Sequence, residues 1–351
     1  MLKKIAKTRR LVWVDVIRVV AIYLVVLVHT STLTANPMDI MHSWPYILSF
    51  SLAKVSVPLF VMLSGALLLG KKEIYSAFFR KRATKVFVPW IAWTLIYMAW
   101  NYVAHGYQPA NFSQWKYFFE LTLLSNLWFL PLIFSLYLMT PILRILIPFV
   151  SKSDKIYLST IWLLFVCIIP YFHTGTSFPL SQASGLVPVA FYYSGYFMIG
   201  YFLTNSKLPK KMVRRSLGIV LLGIALTFIE LGLTKGNGMV EHQLKFFDYF
   251  APGIAVTSIG VFLFLYSYFR NLKISPTKQR LLFQLGSASL GIYIVHGLLS
   301  ELLGSYINQL LNFLPSIPLL HGYAFALILF SLSFAFVFLL KKIPIVRFIV
   351  P

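Results

Sequence analysis

Three ionisable residues lie in the first apolar stretch of the chain, which is long enough to cross a membrane: Asp15, Arg18 and His29. Asp15 and Arg18 are three residues apart, so their side chains are neighbours on a helix surface. Arg18 and His29 are about three helical turns apart, or about 16 Å of rise. All three therefore lie on roughly one helix face. Because each charge near the centre of a membrane helix costs roughly 2.5–3.5 kcal/mol, this arrangement indicates chemistry more than anchoring.

His29 has the side chain expected of a general base that removes a proton from a hydroxyl nucleophile. An imidazole ring titrates near neutral pH and can accept a proton under working conditions. The alternative is a histidine at the outer membrane interface, because His29 lies close to the end of its predicted span. Arg18 and Asp15 on the same face favour the catalytic interpretation.

A cluster of cations precedes the third apolar stretch, in the segment FFRKRATKVFVPW. Arg82 and Lys85 are three residues apart and would enter the membrane interface together. They could be an anchor of positive charge on the cytoplasmic side. They could equally hold the phosphates of an acyl-CoA, since cations bind phosphate through strong charge-assisted hydrogen bonds. The sequence leaves both interpretations open.

Four further residues are candidates for substrate binding: Lys54, Trp128, Tyr293 and His296. Lys54 lies at a depth comparable to that of His29, where it could place a cation near a reacting carbonyl or extend its ammonium toward the interface. His296 falls in the middle of its predicted span, where an ionisable group is a functional hypothesis by default. The alternative for Trp128 and Tyr293 is a role in helix packing alone.

The composition is that of a multi-pass membrane protein. Hydrophobic residues make up 59% of the 351 residues and charged residues only 11%, whereas soluble domains contain about 25% charged residues. The net charge of +22 would suggest a nucleic-acid partner in a soluble protein, but its distribution argues against one here. Of the 31 lysines and arginines, 26 fall in predicted inner segments and three in outer segments. This asymmetry places both termini in the cytoplasm.

The apolar stretches predict an all-α protein with ten membrane spans, each near the roughly 20 residues that a bilayer core requires. The first is expected to be a retained span rather than a cleaved signal peptide. Because no segment is suited to a domain boundary, residues 1–351 are expected to form one membrane-embedded domain. The predicted spans are 11–32, 46–69, 86–104, 121–143, 156–172, 186–204, 216–234, 248–269, 281–301 and 320–340.

Metal binding and nucleotide hydrolysis are not indicated by the sequence. The remaining histidines lack the spacing of metal ligands, and no HExxH, CxxC or Walker-type motif occurs. We therefore expect no metal and no permanently bound cofactor.

Several segments together resemble acyltransferase family 3 of integral membrane proteins. They are WVDVIRVVAIYLVVLVHTST, KVSVPLFVMLSG, the RxxK entry to the third span, LWFLPLIFSLYLMTP and SASLGIYIVHG, in matching order over essentially the whole chain. The likeness is nearest to the bacterial branch that O-acetylates cell-envelope glycans. It implies transfer of an acyl group, commonly acetyl from cytoplasmic acetyl-CoA, to a carbohydrate hydroxyl on the outer side of the cell membrane.

The resemblance also implies roles for individual residues. By position, His29 is the catalytic residue and Arg18 its partner, while Arg82 and Lys85 occupy the paired basic positions of the third helix. Two residues depart from the family's pattern. Lysine stands at position 85 where arginine is common, and it loses bidentate phosphate recognition. Val19 stands where a small residue is common. Some members carry an added soluble domain, which we do not expect here.

The favoured hypothesis is a membrane O-acyltransferase with acyl-CoA and a carbohydrate as substrates. Asp15 would hold Arg18 on the donor's route, and His29 would activate the acceptor hydroxyl. Because Arg18 and His29 are about 16 Å apart, either the donor's pantetheine arm extends between them or the acyl group is relayed. The alternative is a transporter of lipid-linked saccharides or acyl groups, which predicts repeat symmetry or paired broken helices. The glycan, the acyl chain length and the oligomeric state stay open.

Overall fold

The computed structural model describes residues 11–30, 44–107, 109–125, 127–170, 186–234, 248–313, 318–344 and 346–351. In these residues all regular structure is helical, and none is β-strand, as the sequence predicts. The α-helices in chain order are α1 (Val12–Val28), α2 (Trp44–Lys54), α3 (Ser56–Leu68), α4 (Tyr75–Arg82), α5 (Val88–Ala104), α6 (Phe112–Ser125), α7 (Phe129–Leu146), α8 (Lys152–Trp162), α9 (Leu186–Thr204), α10 (Met212–Thr234), α11 (Pro252–Phe269), α12 (Pro276–Ser287), α13 (Ser289–Leu311) and α14 (Pro318–Leu340).

The described part of the chain contains seven helical stretches that are long and apolar enough to cross a membrane. They are Trp44–Leu68, Tyr75–Ala104, Phe129–Phe149, Met212–Gly232, Pro252–Phe269, Ser289–Leu311 and Leu319–Leu340. Each overlaps one of the ten predicted spans. The other three predicted spans, 11–32, 156–172 and 186–204, are mostly helical where they are described. The total of ten and the cytoplasmic position of the termini stay predictions.

The fourth and ninth predicted spans contain helix boundaries that the hydropathy pattern does not reveal. The fourth, 121–143, falls partly on α6 and partly on α7, which begins at Phe129. The ninth, 281–301, is divided between α12 and α13, with Ala288 between them. The start of α12 has a local signal, because the Ser275 hydroxyl accepts from the Lys278 N–H and Pro276 occupies the first turn.

The second membrane stretch is broken at Val55, between α2 and α3. Pro58 has no N–H to donate to the carbonyl of Lys54, four residues earlier, so the regular ladder of hydrogen bonds is interrupted there. It resumes where the Leu59 N–H donates to the Val55 carbonyl at 3.0 Å. The break leaves Lys54 as the last residue of α2.

The third membrane stretch begins earlier than the predicted span 86–104 and includes the basic residues. α4 continues through a π-helical turn, Ala83–Phe87, into α5. Such wide turns inside α-helices are rare and are frequently found at functional sites. This turn contains Lys85 and follows directly after Arg82.

Helix α1 lies at the centre of the bundle, where it packs against α2, α3, α11, α12, α13 and α14. Its residues Ile17, Ala21 and Ile22 are fully buried. A second close contact joins α3 to α9 at glycines. A Cβ atom at Gly65 would lie only 1.7 Å from the Phe197 carbonyl oxygen, so the two backbones can touch only because this residue is glycine.

Candidate functional site

A cavity of about 780 Å³ extends along α1. On α1 its walls run from Arg18 to His29, and on α3 from Ser56 to Leu67. Each of these stretches covers about three helical turns. We call the part lined by Arg18, Lys85 and Arg347 the cationic end, and the part lined by His29 the histidine end. Helices α7, α12 and α13 form much of the remaining wall, and Tyr249, the π-helical turn Ala83–Phe87 and residues 347–351 also contribute to it.

The structure brings five of the nine candidate residues to the cavity wall and leaves four behind it. Those on the wall are Arg18, His29, Lys85, Trp128 and Tyr293. Those outside the wall are Asp15, Lys54, Arg82 and His296.

The pair expected from its spacing on α1 is present at the cationic end. Asp15 Oδ1 lies 3.8 Å from Arg18 Nη1. Asp15 is buried, whereas the Arg18 side chain is 35% exposed and lines the cavity. On its other side Asp15 packs against Gly286 of α12, where a Cβ atom would lie 3.2 Å from Oδ1. The Asp15 carboxylate thus lies on the side of the Arg18 guanidinium that is away from the cavity, and the guanidinium stays exposed to the cavity.

Arg82 and Lys85 do not share one site. Lys85 lines the cavity, but Arg82 does not, and its Nη1 donates to Glu73 Oε2 at 3.3 Å. The Arg82 guanidinium also stacks 4.2 Å above the Phe78 ring, and Arg144 approaches the same ring at 4.6 Å. Arg82 is therefore part of a cluster that joins α4 to α7 beside the cavity.

Glu73 is the carboxylate of this cluster. Lys81 Nζ donates to it at 2.7 Å, and this hydrogen bond, together with the charges of Arg82 and Lys81, lowers the pKa of Glu73 below its ordinary value. A lowered pKa in the folded state contributes stability above the ordinary carboxyl pKa, and this contribution is lost as the pH falls through the lowered pKa. The cluster is thus ionised at neutral pH.

His29 lies at the C-terminal cap of α1, where its side chain is exposed and lines the cavity. The helix closes with short turns, in which the N–H groups of His29 and Thr30 donate to the carbonyls of Val26 and Leu27. The C-terminal end of a helix carries partial negative charge, which stabilises a cation placed there. The charge of nearby Lys54 acts on the ring in the opposite direction.

His296 lies behind His29, with ring centroids 5.2 Å apart. It is buried, and its Nδ1 lies 2.6 Å from the Tyr293 carbonyl oxygen. A carbonyl only accepts, so Nδ1 carries the proton and Nε2 is left as an acceptor. The Tyr293 hydroxyl in turn accepts from the Phe129 N–H at 3.1 Å. These contacts fix the orientation of both aromatic side chains at the histidine end.

Lys54 sits behind an aromatic layer at the same end. Its Nζ lies 4.9 Å from the centre of the Tyr249 ring and 5.2 Å from that of Phe50. Tyr249 lines the cavity and packs against Trp128, with ring centroids 5.5 Å apart. The charge of Lys54 is close enough to interact with His29.

Tyr249 and Arg347 are among the residues of the cavity wall that the sequence did not make candidates. Tyr249 stands at the start of a predicted span, where an aromatic residue is more typical of the membrane interface. Arg347 was counted among the inner positive charges. For neither residue did the sequence carry a local signal of its place in the cavity.

Comparison with known proteins identifies one family. A family model described as an acyltransferase domain matches residues 11–341. No curated protein and no solved structure matches the chain. The matched part contains both Arg18 and His29, and it ends before Arg347.

Proposed function

The chain belongs to acyltransferase family 3, whose members are membrane acyltransferases, and from this premise we propose a specific reaction. The protein transfers an acyl group, acetyl in the simplest case, from cytoplasmic acyl-CoA to a hydroxyl of a cell-envelope carbohydrate on the outer side of the cell membrane. The donor is a substrate and not a resident cofactor.

The observation that carries the proposal is the single cavity that links the cationic end to the histidine end. Cations at one end suit the phosphates of a nucleotide-bearing donor. A histidine at the other end suits the activation of a hydroxyl. The wall between them is largely apolar, with Phe60, Leu63 and Ile133, which suits a long pantetheine arm. This arrangement favours an extended donor over an acyl relay.

His29 acts as the general base in the proposed reaction. Its neutral ring accepts the proton of the acceptor hydroxyl as the oxygen attacks the thioester carbonyl carbon. The carbon–sulfur bond then breaks, and the leaving thiolate takes the proton from the imidazolium. One ester and one free CoA thiol are formed, and His29 returns to its neutral state.

The neighbours of His29 have supporting roles in this proposal. Lys54 places a positive charge near the reacting carbonyl, where negative charge develops on the oxygen. His296, held by Tyr293, supports the ring of His29 from behind. Trp128 and Tyr293 offer flat aromatic surfaces to the acceptor. Asp15 keeps the Arg18 guanidinium directed at the donor.

Replacing His29 by glutamine tests the proposed reaction. General-base catalysis contributes typically about 10²–10⁴-fold, so His29→Gln should lower glycan acetylation by at least about 100-fold. The measurement is complementation of a deletion strain, with ester-linked acetate on envelope glycans determined by mass spectrometry. The matched control is His105→Gln, an exposed histidine paired with Glu301 away from the cavity.

A His29→Gln protein that reaches the membrane in normal amount and acetylates its glycan fully would contradict the proposal. The transporter hypothesis is separated by a second measurement on the purified wild-type protein. An acyltransferase releases CoA thiol from acetyl-CoA when the envelope glycan is added, whereas a transporter leaves the thioester intact.

A further inference from the structure

Residues 346–351 form part of the cavity wall, and we call them the wall segment. Residues Val346–Phe348 make one turn of 3-10 helix. Arg347, Phe348 and Pro351 line the cavity at its cationic end. The wall segment lies beyond the residues that the family model matches.

The wall segment is fixed to the bundle by two contacts. Trp93 Nε1 of α5 donates to the Ile349 carbonyl at 2.9 Å. Val350 is fully buried and packs against α13 at Gly291, where a Cβ atom would lie 3.0 Å from Val350 Cγ1. Because these contacts fix the backbone directly after Phe348, they also position the neighbouring Arg347 at the cavity wall.

The charges at the cationic end are not balanced by the cavity wall. Arg18, Lys85 and Arg347 line it, and none of the described lining residues is an aspartate or glutamate. A fourth cation, Lys341, lies nearby: burial lowers the pKa of Lys341, and the charge of Lys85 lowers it further. Asp15 offsets the charge of Arg18 from behind the wall, and the charges of Lys85 and Arg347 still favour an anion bound in the cavity beside them.

We propose that Arg347 binds a phosphate group of the donor's nucleotide, an inference that rests on the proposed function. The guanidinium is exposed and not engaged in an ion pair within the described part of the chain. Its planar fork can bind phosphate through two parallel hydrogen bonds, which a lysine cannot do. Arg347 thereby supplies the bidentate contact that Lys85 lacks.

Donors with and without phosphates test this inference. Hydrogen bonds to charged groups are strong enough that Arg347→Ala should raise the KM for acetyl-CoA by roughly tenfold or more, with little change in kcat. The KM for acetyl-pantetheine, which has no phosphate, should stay unchanged. Arg347→Lys should fall between the wild type and the alanine variant. The steady-state rates are measured on purified protein with deacetylated envelope glycan as the acceptor.

Two further variants separate binding from packing. Arg347→Gln keeps much of the side chain's length and must show the same donor-dependent loss. Arg270→Ala is the matched control: the guanidinium of Arg347 lies 5.2 Å from the centre of the Phe348 ring and that of Arg270 lies 5.5 Å from the centre of the Tyr266 ring, but Arg270 does not line the cavity.

The outcomes distinguish this inference from the proposed function. An unchanged KM for acetyl-CoA in Arg347→Ala, or an equal rise for both donors, would overturn the role of Arg347 while His29-dependent transfer still stood. A wild-type protein that transfers acetyl from neither donor would overturn both proposals together.

Discussion

Arg82 and Lys85 have different partners although they are only three positions apart in the chain. Neighbours at this spacing share a face in a regular α-helix. Here the π-helical turn Ala83–Phe87 intervenes and changes the rotation per residue. As a result Lys85 faces the cavity and Arg82 faces Glu73. The sequence made both residues candidates for binding the donor and left an anchoring role open for each; of the two, only Lys85 lines the cavity.

Two substitutions separate the roles of these cations. Lys85→Ala removes a charge from the donor's route and should raise the KM for acetyl-CoA roughly tenfold with a nearly unchanged melting temperature. Arg82→Gln removes the ion pair with Glu73 and should lower the stability by roughly 1–2 kcal/mol. Steady-state kinetics and thermal unfolding in detergent measure the two effects. If Arg82→Gln raised the donor KM as much as Lys85→Ala without loss of stability, this assignment would be wrong.

The sequence predicted the positions of residues best where the residues lie on one helix, because their spacing then sets their relative positions. Asp15 and Arg18 pair as their spacing predicts, and Arg18 and His29 line one cavity. The place of Arg347 in the cavity was not predicted. It depends on contacts of the residues that follow Arg347: Ile349 accepts from Trp93 and Val350 packs against Gly291, and both partners are distant in the chain. Spacing rules hold only within one regular helix, so they could not predict contacts between segments that are distant in the chain.

The contact between α3 and α9 depends on a glycine at the interface. A Cβ atom at Gly65 would overlap the Phe197 backbone, and backbone cannot move aside as a flexible side chain can. Gly65→Ala should therefore destabilise the protein by more than the roughly 1–3 kcal/mol typical of overpacking. Thermal unfolding in detergent and the yield of folded protein are the measurements.

Gly218→Ala is the matched control for this prediction. Gly218 lies in α10, is exposed, and has open space where a Cβ atom would stand. Alanine is favoured over glycine in a helix by roughly 1 kcal/mol, so this variant should be at least as stable as the wild type. Equal melting temperatures for the Gly65 and Gly218 variants would show that α3 and α9 do not meet as described.

At the scale of the elements, hydropathy located the membrane stretches but not their interruptions. The breaks at Val55 and Ala288 lie inside predicted spans. Pro58 and the Ser275-Pro276 pair were visible local signals, because proline removes a donor and serine caps a helix. The π-helical turn had no such signal in the sequence. The break at Val55 nevertheless decides where Lys54 stands.

In its described part the molecule is an all-helical membrane protein. This class could be predicted from the composition alone. Seven stretches within the described residues meet the length and hydropathy of a span, and the total of ten stays a prediction. The cavity could not be predicted, because it requires α1, α3, α7, α12 and α13 to converge. The order of the ionisable residues along α1 did indicate that the site would have a cationic end and a histidine end.

The central claim is that acyl donor and acceptor meet through one cavity from opposite sides of the membrane. The direct measurement uses sealed proteoliposomes that enclose deacetylated envelope glycan, with the same glycan and radiolabelled acetyl-CoA outside. Neither substrate crosses the bilayer unaided. We predict labelled esters on the enclosed glycan, and none with the His29→Gln protein. Labelled esters found only on the external glycan, on the same side as the donor, would contradict the claim.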